Sequence, residues 1–463
     1  MFDKSALLIL GFVGIALGDG FAMEMVCEER LWINWATNYE RQIKSLFTPE
    51  TQEELIELVQ MAQLQGKSIK VLGGGHSLSA ISLPDENGWA ISLEKYSKVL
   101  ALDEQKLTVT VQASITLREL NQILDEHGLA LNNLASTADQ TAGGLIQTGT
   151  HATGKNYGSL HTQVIEMTVI NGKGELKTLN PNSHSTLFRA HQCGLGTLGI
   201  VDSVTFQAVP AFALHEVTYP SQWPLILDHI DDLLQKNDRF RFHWFPYANQ
   251  VGVWTANPTK QPVSKTRKPT KIVSIEDLLE IDPCDPSTIA RVNQTLFEAD
   301  YSQSYERCDR SDQILLKFGE RNNVYAAEAS IPFSSTKPFF LDLQKLIEEN
   351  HFPAHGGVEV RFVKADPAPL SPAFSENSDD LFCFINIGII RPNGHHVPYQ
   401  EYFEAFGKLV KRYQGRLHWG KMGHLDPDYL KQSYPRWEDF KTIQEQEDPS
   451  GIFLNEWSKT ILD

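Results

Sequence analysis

The chain has 463 residues, 41% hydrophobic and 10% aromatic, which is too long for one ordinary core and apolar enough for fully globular packing in two domains. Its 41 basic and 58 acidic side chains leave a formal charge of −17, which repels phosphate backbones and argues against nucleic acid as a partner. The five cysteines (Cys27, Cys193, Cys284, Cys308, Cys383) form no Cys-x-x-Cys pair, so no disulfide framework and no metal site is expected; in an exported chain Cys284 with Cys308 is the pair to consider.

At the N-terminus, Lys4 precedes an apolar run from Ala6 to Leu17, and Ala16 and Gly18 supply the small residues that a signal peptidase reads. The run is short for a membrane span, so residues 1–22 read as a signal peptide or leader that exports the protein or attaches it to a membrane. Translation from Met23 or Met25 would instead leave it cytoplasmic. No second long apolar segment follows, and the body of the chain is expected to be soluble, with any membrane contact made through the leader.

Thr51 and Glu54 have capping-box spacing, and Leu55, Leu58, Val59 and Ala62 recur on one face of a helix that Gly66 closes. A strand over residues 68–72 then delivers the chain to Gly73-Gly74-Gly75-His76-Ser77. Successive glycines allow positive φ and let backbone N–H groups approach an anion without Cβ atoms in the way. The loop is thus a candidate phosphate nest with a histidine at its mouth, or simply a tight turn. A nicotinamide-type fingerprint would need glycine where Leu78 stands.

Leu107, Val109, Val111 and Ala113 alternate as in a half-buried strand, and Thr116 with Glu119 caps a helix ending near Gly128. Residues 136–154 are too rich in small side chains for a helix and too long for a hairpin turn, so a ligand-wrapping loop is expected. Its end, Gly149 to Lys155, nearly spells a nucleotide phosphate loop, but Asn156 replaces the hydroxyl that would hold magnesium, which excludes an NTPase. Val164–Ile170, an Asn171-Gly172 turn and residues 175–179 read as a hairpin, and Gly194 to Gly199 leads into a strand from Ile200 to Val209.

Pro210 marks a boundary, after which longer strands and helices such as residues 339–349 suggest an α+β domain to about residue 430. Residues 257–270, rich in Pro and Lys, read as a solvated loop, and so does His395-His396. Val358 to Phe362 is a strand whose period of two puts Val358, Val360 and Phe362 on one face and Glu359 with Arg361 on the other. That pair is either an ordinary exposed ion pair or a fixed carboxylate and guanidinium for chemistry. His418-Trp419-Gly420-Lys421 gathers an imidazole, an indole and an ammonium, and Asp448 to Asn455 reads as a turn and a packed terminal segment.

Together, the Gly73 to Ser77 loop, the run Thr141 to Gly154, Gly194-Leu195-Gly196-Thr197-Leu198-Gly199-Ile200, Glu359-Val360-Arg361, His418 to Lys421 and Asp448 to Asn455 occur in the order found in the aldonolactone oxidases. The chain resembles that family from about Trp32 to the C-terminus. The resemblance implies an α+β protein with a two-part FAD-binding domain of the vanillyl-alcohol-oxidase/PCMH type, formed by residues 32–210 and a returning segment 431–463. An α+β substrate cap, residues 211–430, would lie between them.

The resemblance also implies roles. FAD would be bound covalently through His76 and contacted by Gly73, Gly74, Gly75, Ser77, Ser136, Gly149, Thr150, His151, Thr153, Gly199, Ile200 and His418. No cysteine stands in the second loop, so a doubly attached flavin is not expected. Thr141, Glu359, Arg361 and Lys421 would bind substrate, with the last three catalytic: Arg361 and Lys421 holding its oxygens and stabilising developing negative charge, Glu359 orienting hydroxyls or taking the proton. The implied reaction oxidises C2 of an L-gulono-, L-galactono- or D-arabinono-1,4-lactone with molecular oxygen as acceptor, giving ascorbate or an analogue. An alditol or other sugar oxidase, a cytochrome-linked lactone dehydrogenase and a flavin- or carbohydrate-binding protein without turnover are the alternatives. Some vertebrate members carry an apolar cap segment tied to membranes, whereas residues 257–313 here are polar, so attachment through the cap is not expected.

Overall fold

The computed structural model describes residues 10–13, 25–264, 285–316 and 323–462. Most of the predicted leader, Cys284 and residues 265–270 of the Pro/Lys-rich segment lie outside the described residues. Cys308 has a free, buried thiol, and residues 257–259 belong to a strand, Gln250–Thr259. No helix among the described residues is long and apolar enough to cross a membrane.

Up to residue 210 the described chain builds two five-stranded sheets and a two-stranded one, Leu129–Ala130 with Val209–Pro210, and after it a larger sheet. In the first sheet, Thr51 accepts from Glu54 N and opens the helix Gln52–Gln65, which Gly66 closes at φ 61°. The reciprocal half of that box is shifted, because Glu54 reaches Glu50 N at 2.6 Å and not Thr51. The helix carries the chain from Glu40–Phe47 to Ile69–Leu72, and both strands run parallel to Trp89–Ser92 between them. In the second sheet Thr108–Gln112, Val164–Ile170, Leu176–Leu179 and Ile200–Gln207 pair antiparallel with Val99–Asp103 at the edge. Both halves of the capping box at Thr116 and Glu119 form, opening Leu117–Glu126. The predicted Asn171-Gly172 turn is a wider loop: Asn171 N bonds Glu175 O, and the left-handed residue is Gly174, not Gly172.

One expectation fails here. The small-residue run contains a helix, Ala142–Gln147. Tertiary packing overrides the poor helix propensity: Gly143 N donates to Ala113 O at 2.7 Å, and a Cβ on Gly143 would stand 2.8 Å from Ala113 Cβ. Only small residues let this helix lie flush on its strand.

The large sheet has eight strands, all antiparallel, in the order Tyr305–Arg310, Ala213–Gln222, Gln250–Thr259, Arg239–Phe245, Val358–Lys364, Leu381–Ile390, Val324–Pro332, Arg416–Leu417. Period-two alternation gives it two unlike faces. One buries Phe240, Phe242, Val358, Val360, Phe362, Ile385 and Ile387 beneath the helices Leu225–Lys236, Thr336–Asn350 and Gln400–Arg412. Each such side chain contributes about 1.5–3 kcal/mol of apolar transfer energy, so this face fixes the strand register. The other face carries the polar residues of these strands and is turned toward the first two sheets.

The C-terminal segment returns to the first sheet. Asp448 accepts from the N–H groups of Ile452 (3.0 Å) and Phe453 (2.8 Å), which presents Ile452 O to Ile69 N at 2.6 Å. Asn455 then donates to Ala80 O and Leu83 O.

Two buried histidines that do not line the cavity, His191 and His355, predict acid sensitivity. Burial pushes His191 down to about 3 and His355 down to about 4. Both ring nitrogens of His355 lack partners. Because the folded values lie below the unfolded one of about 6.5, their stability is present above that pH and lost as the pH falls toward the folded values. Between about pH 6.5 and about pH 4 each adds a slope of about 1.4 kcal/mol per pH unit. A thermal-denaturation series should show the midpoint falling over that window, with a shallower fall in His355→Gln; equal slopes would contradict this account.

Candidate active site

A cavity of about 410 Å³ lies between the glycine loop, the residue 136–151 segment and the polar face of the large sheet. The loop that follows Ile69–Leu72 is glycine for steric reasons. A Cβ on Gly73 would stand 2.6 Å from Thr141 Oγ1 and one on Gly74 2.5 Å from Asp139 O, while Gly75 has φ 66°. His76 lies at the end of this loop. Its ring bonds the Asp139 backbone, its Nε2 is buried with no protein partner, and burial pulls its pKa down to about 4. The loop therefore presents a neutral imidazole with an unpartnered nitrogen beside the cavity.

The opposite wall is written across four neighbouring strands. His243 pairs with Glu359, Glu359 with Asn386, and Asn386 with Glu328, so the four side chains form one cross-strand row on the cavity face. Arg361 stands two residues from Glu359 on the same face, with Arg241 opposite it. Glu359 is gripped by Arg361 Nη2 at 2.5 Å and Arg241 Nη1 at 3.2 Å, with His243 Nε2 at 3.6 Å. Both guanidinium groups also donate to Ser136 Oγ, at 3.3 and 3.4 Å. Burial alone would raise the Glu359 carboxyl; the charges of Arg361, His243 and Arg241 hold it far below the usual carboxylate range.

Glu328 is a second ionised carboxylate. It accepts from His151 Nε2 at 2.9 Å and Asn386 Nδ2 at 3.0 Å, and Lys421 Nζ lies 3.7 Å away. Burial opposes its ionisation, and the hydrogen bond from His151 with the charge of Lys421 overcomes that and holds it well below the ordinary value. The strand Arg416–Leu417 brings in the last two groups. His418 N donates to Glu328 O, and Gly420 N donates to His418 Nδ1 at 3.0 Å. With Nδ1 accepting, the ring proton sits on Nε2, and burial keeps the imidazole neutral, its pKa down to about 3.

The structure thus brings Gly73, Gly74, Gly75, His76 and Ser77 onto one cavity with Ser136, Thr141, Thr150, His151, Gly199 and Ile200. Glu359, Arg361, His418 and Lys421 complete it. Two expected contacts are displaced. Thr153 Oγ1 donates to Phe240 O and accepts from Phe362 N at 3.1 Å, so it braces the large sheet. Gly149, at φ 70°, is turned away from the cavity and abuts Pro372, whose Cδ a Cβ would meet at 2.9 Å. Sequence reasoning missed Glu328, Asn386, Arg241 and His243. A signal existed, since Glu328 is the one charged residue and Asn386 the one amide within otherwise largely apolar strands, and Arg241 and His243 alternate with Phe240, Phe242 and Trp244.

These residues suit a phosphate-bearing flavin: a glycine loop lining the cavity, a neutral histidine with an unpartnered nitrogen, and a strongly polar wall facing them. A family model described as D-arabinono-1,4-lactone oxidase matches residues 204–461, and one described as FAD binding domain matches residues 43–180. L-gulonolactone oxidase of Bos taurus is 36% identical over 93% of this chain and 97% of its own. An L-gulono-1,4-lactone dehydrogenase of Mycobacterium tuberculosis is 25% identical over 93% of this chain and 99% of its own. In three dimensions the chain is similar to a cholesterol oxidase from Brevibacterium sterolicum, with a TM-score of 0.79, 15% identity and coverage of 97% of this chain and 100% of that one. That likeness gives the fold, and the matched FAD binding model places the cofactor domain within it. More than half of the sequence answers to the lactone-oxidase model and nearly all of it aligns with the bovine enzyme: the chain belongs to the aldonolactone oxidase family of FAD proteins.

Proposed function

We propose that this chain oxidises the C2 hydroxyl of an aldono-1,4-lactone to the 2-keto lactone. Two electrons and two protons leave the substrate, and oxygen takes them up as hydrogen peroxide. FAD, when bound, accepts the electrons from the substrate and passes them on. The observation that carries the reading is the row His243, Glu359, Asn386, Glu328 with Arg361 and Lys421 beside it, facing the cavity that His76 also lines.

The roles follow from the charges. Arg361 and Lys421 are the cations that hold the lactone oxygens and stabilise negative charge developing at the reacting carbon's oxygen. Preorganised donors of this kind are typically worth about a hundred- to a thousandfold in rate. Glu359 accepts hydrogen bonds from substrate hydroxyls and so orients them. Two guanidinium groups suppress its basicity, which makes orientation and not proton removal its task. Glu328 acts through its neighbours, since it holds His151 and Asn386 directly and attracts Lys421. His418, neutral with its proton on Nε2, donates to whatever occupies that corner of the cavity. Thr141 offers a hydroxyl beside Gly73, and Ser136 holds the two guanidinium groups in place.

We also propose that His76 tethers FAD through a ring nitrogen; the new N–C bond would replace a C–H bond of the flavin's 8α-methyl group, with the two electrons and two protons released taken up by oxygen as hydrogen peroxide. A neutral imidazole keeps the lone pair that bond formation needs, and burial supplies it against the opposing pull of Asp139. Residues 32–210 with 431–463 would hold the cofactor and residues 211–430 would cover the substrate. The test is peroxide release from the purified protein given L-gulono-, L-galactono- and D-arabinono-1,4-lactones beside a panel of alditols. Release with a lactone is expected; release with alditols alone would replace this reading by that of an alditol oxidase, and flavin reduction without peroxide would assign a dehydrogenase.

A further inference from the structure

The strand Ile69–Leu72 has apolar neighbours on both of its faces, with one exception. Ile69 and Val71 pack into the core beneath the helix Gln52–Gln65, and Leu72 packs with Trp32, Ile43, Leu46 and Ala90 on the other side. Lys70 shares the side of Leu72, is 5% exposed, lines the cavity, and has no hydrogen-bond partner for its Nζ. Ser82 Oγ, on the same cavity wall, is also buried without a partner.

An ammonium taken out of water and left unpaired is among the most costly arrangements in a protein. The nearest compensating charge is Asp85, but its two oxygens already accept from Ser68 Oγ at 3.0 Å and Glu456 N at 2.9 Å. Burial accordingly pushes Lys70 down to about 8. A leucine or valine would fill such a strand position without this cost, so the ammonium needs a partner from outside the chain. That partner is anionic, small enough to enter the cavity, and bound beside the glycine loop.

We propose that Lys70 Nζ and Ser82 Oγ form an anion subsite that takes phosphate oxygens of the dinucleotide cofactor. The inference rests on the FAD reading above and adds to it a charged side chain: the glycine loop offers backbone dipoles, and Lys70 offers a full positive charge. The ammonium neutralises part of the diphosphate where water is excluded, and Ser82 directs one further hydrogen bond to it.

The test measures reversible flavin binding in the full chain carrying His76→Ala, which removes the proposed tether. Fluorescence titration with FAD, which has two phosphates, is compared with riboflavin, which has none, before and after adding Lys70→Met. FAD affinity is expected to fall about 10- to 100-fold, the range of one lost charge-assisted bond, while riboflavin affinity changes less than about threefold. Salt should weaken FAD binding in the parent and much less in the Lys70→Met form. Ser82→Ala, a milder change that leaves the strand untouched, is expected to weaken FAD binding several-fold with the same indifference to riboflavin, and Lys70→Arg to retain most of the affinity. Equal losses for FAD and riboflavin, or no loss for either, would overturn the subsite while leaving the cofactor reading intact. A parent protein that binds neither flavin would overturn both.

Discussion

Replacing Arg361 by alanine is expected to lower the turnover of lactone by about a hundred- to ten-thousandfold while the protein still carries its flavin. The side chain is held from two sides, by Glu359 at 2.5 Å and Ser136 at 3.3 Å, so its positive charge is fixed before substrate arrives. Nothing else takes its place. Arg241 is occupied with the same carboxylate and stacks 4.4 Å over Trp254, and Lys421 is drawn to Glu328. Its loss removes transition-state stabilisation and also frees Glu359 to move, so kcat and kcat/KM should fall together. Arg361→Lys keeps a charge but not the planar fork that meets Glu359 and Ser136 at once, and should recover only part of the loss. Steady-state kinetics at matched flavin content decide this; normal turnover in Arg361→Ala would remove the residue from the mechanism.

The second large effect concerns the tether. Wild-type protein precipitated with acid is expected to keep its yellow colour in the pellet, and His76→Ala to release all of it to the supernatant. The imidazole is already neutral at working pH and bonded to the Asp139 backbone, so its replacement leaves the glycine loop with the same turn constraints but no nucleophile. Flavin should therefore still bind His76→Ala reversibly, with slower turnover, since an untethered flavin is the weaker oxidant. Colour that leaves the wild-type protein in acid would exclude the covalent bond and confine His76 to packing against the cofactor and Trp35, whose ring centroid lies 5.6 Å away.

How far the sequence reached depended on the range of the interaction. Glu359 and Arg361 were legible because alternation along one strand is a local property, and the structure keeps them on one face with Val358, Val360 and Phe362 on the other. The glycine loop was legible because its constraint is steric and lies within a few residues. The row joining Glu359 to His243, Asn386 and Glu328 was not, since it depends on the register of four strands drawn from residues 239 to 390, and register is set by the helices packed beneath. The choice between an ordinary surface pair and a site pair was beyond local pattern for the same reason: only the assembled sheet shows that Glu359 meets two guanidinium groups and an imidazole. The helix Ala142–Gln147 was missed because propensity gave the wrong sign where close packing on Ala113 decided the outcome. Gly149 and Thr153 sit within a motif of which Thr150 and His151 line the cavity, and nothing in the spacing distinguishes a residue facing the cavity from one bracing the sheet behind it.

Anaerobic mixing of the purified protein with an aldono-1,4-lactone tests the central claim most directly, because it separates substrate oxidation from the choice of acceptor. The account predicts that the oxidised flavin's yellow absorbance bleaches on addition of lactone, returns with peroxide when oxygen is admitted, and persists in Arg361→Ala over the same interval. Flavin that stays oxidised with every lactone, in protein that carries a full complement of it, would contradict the assignment.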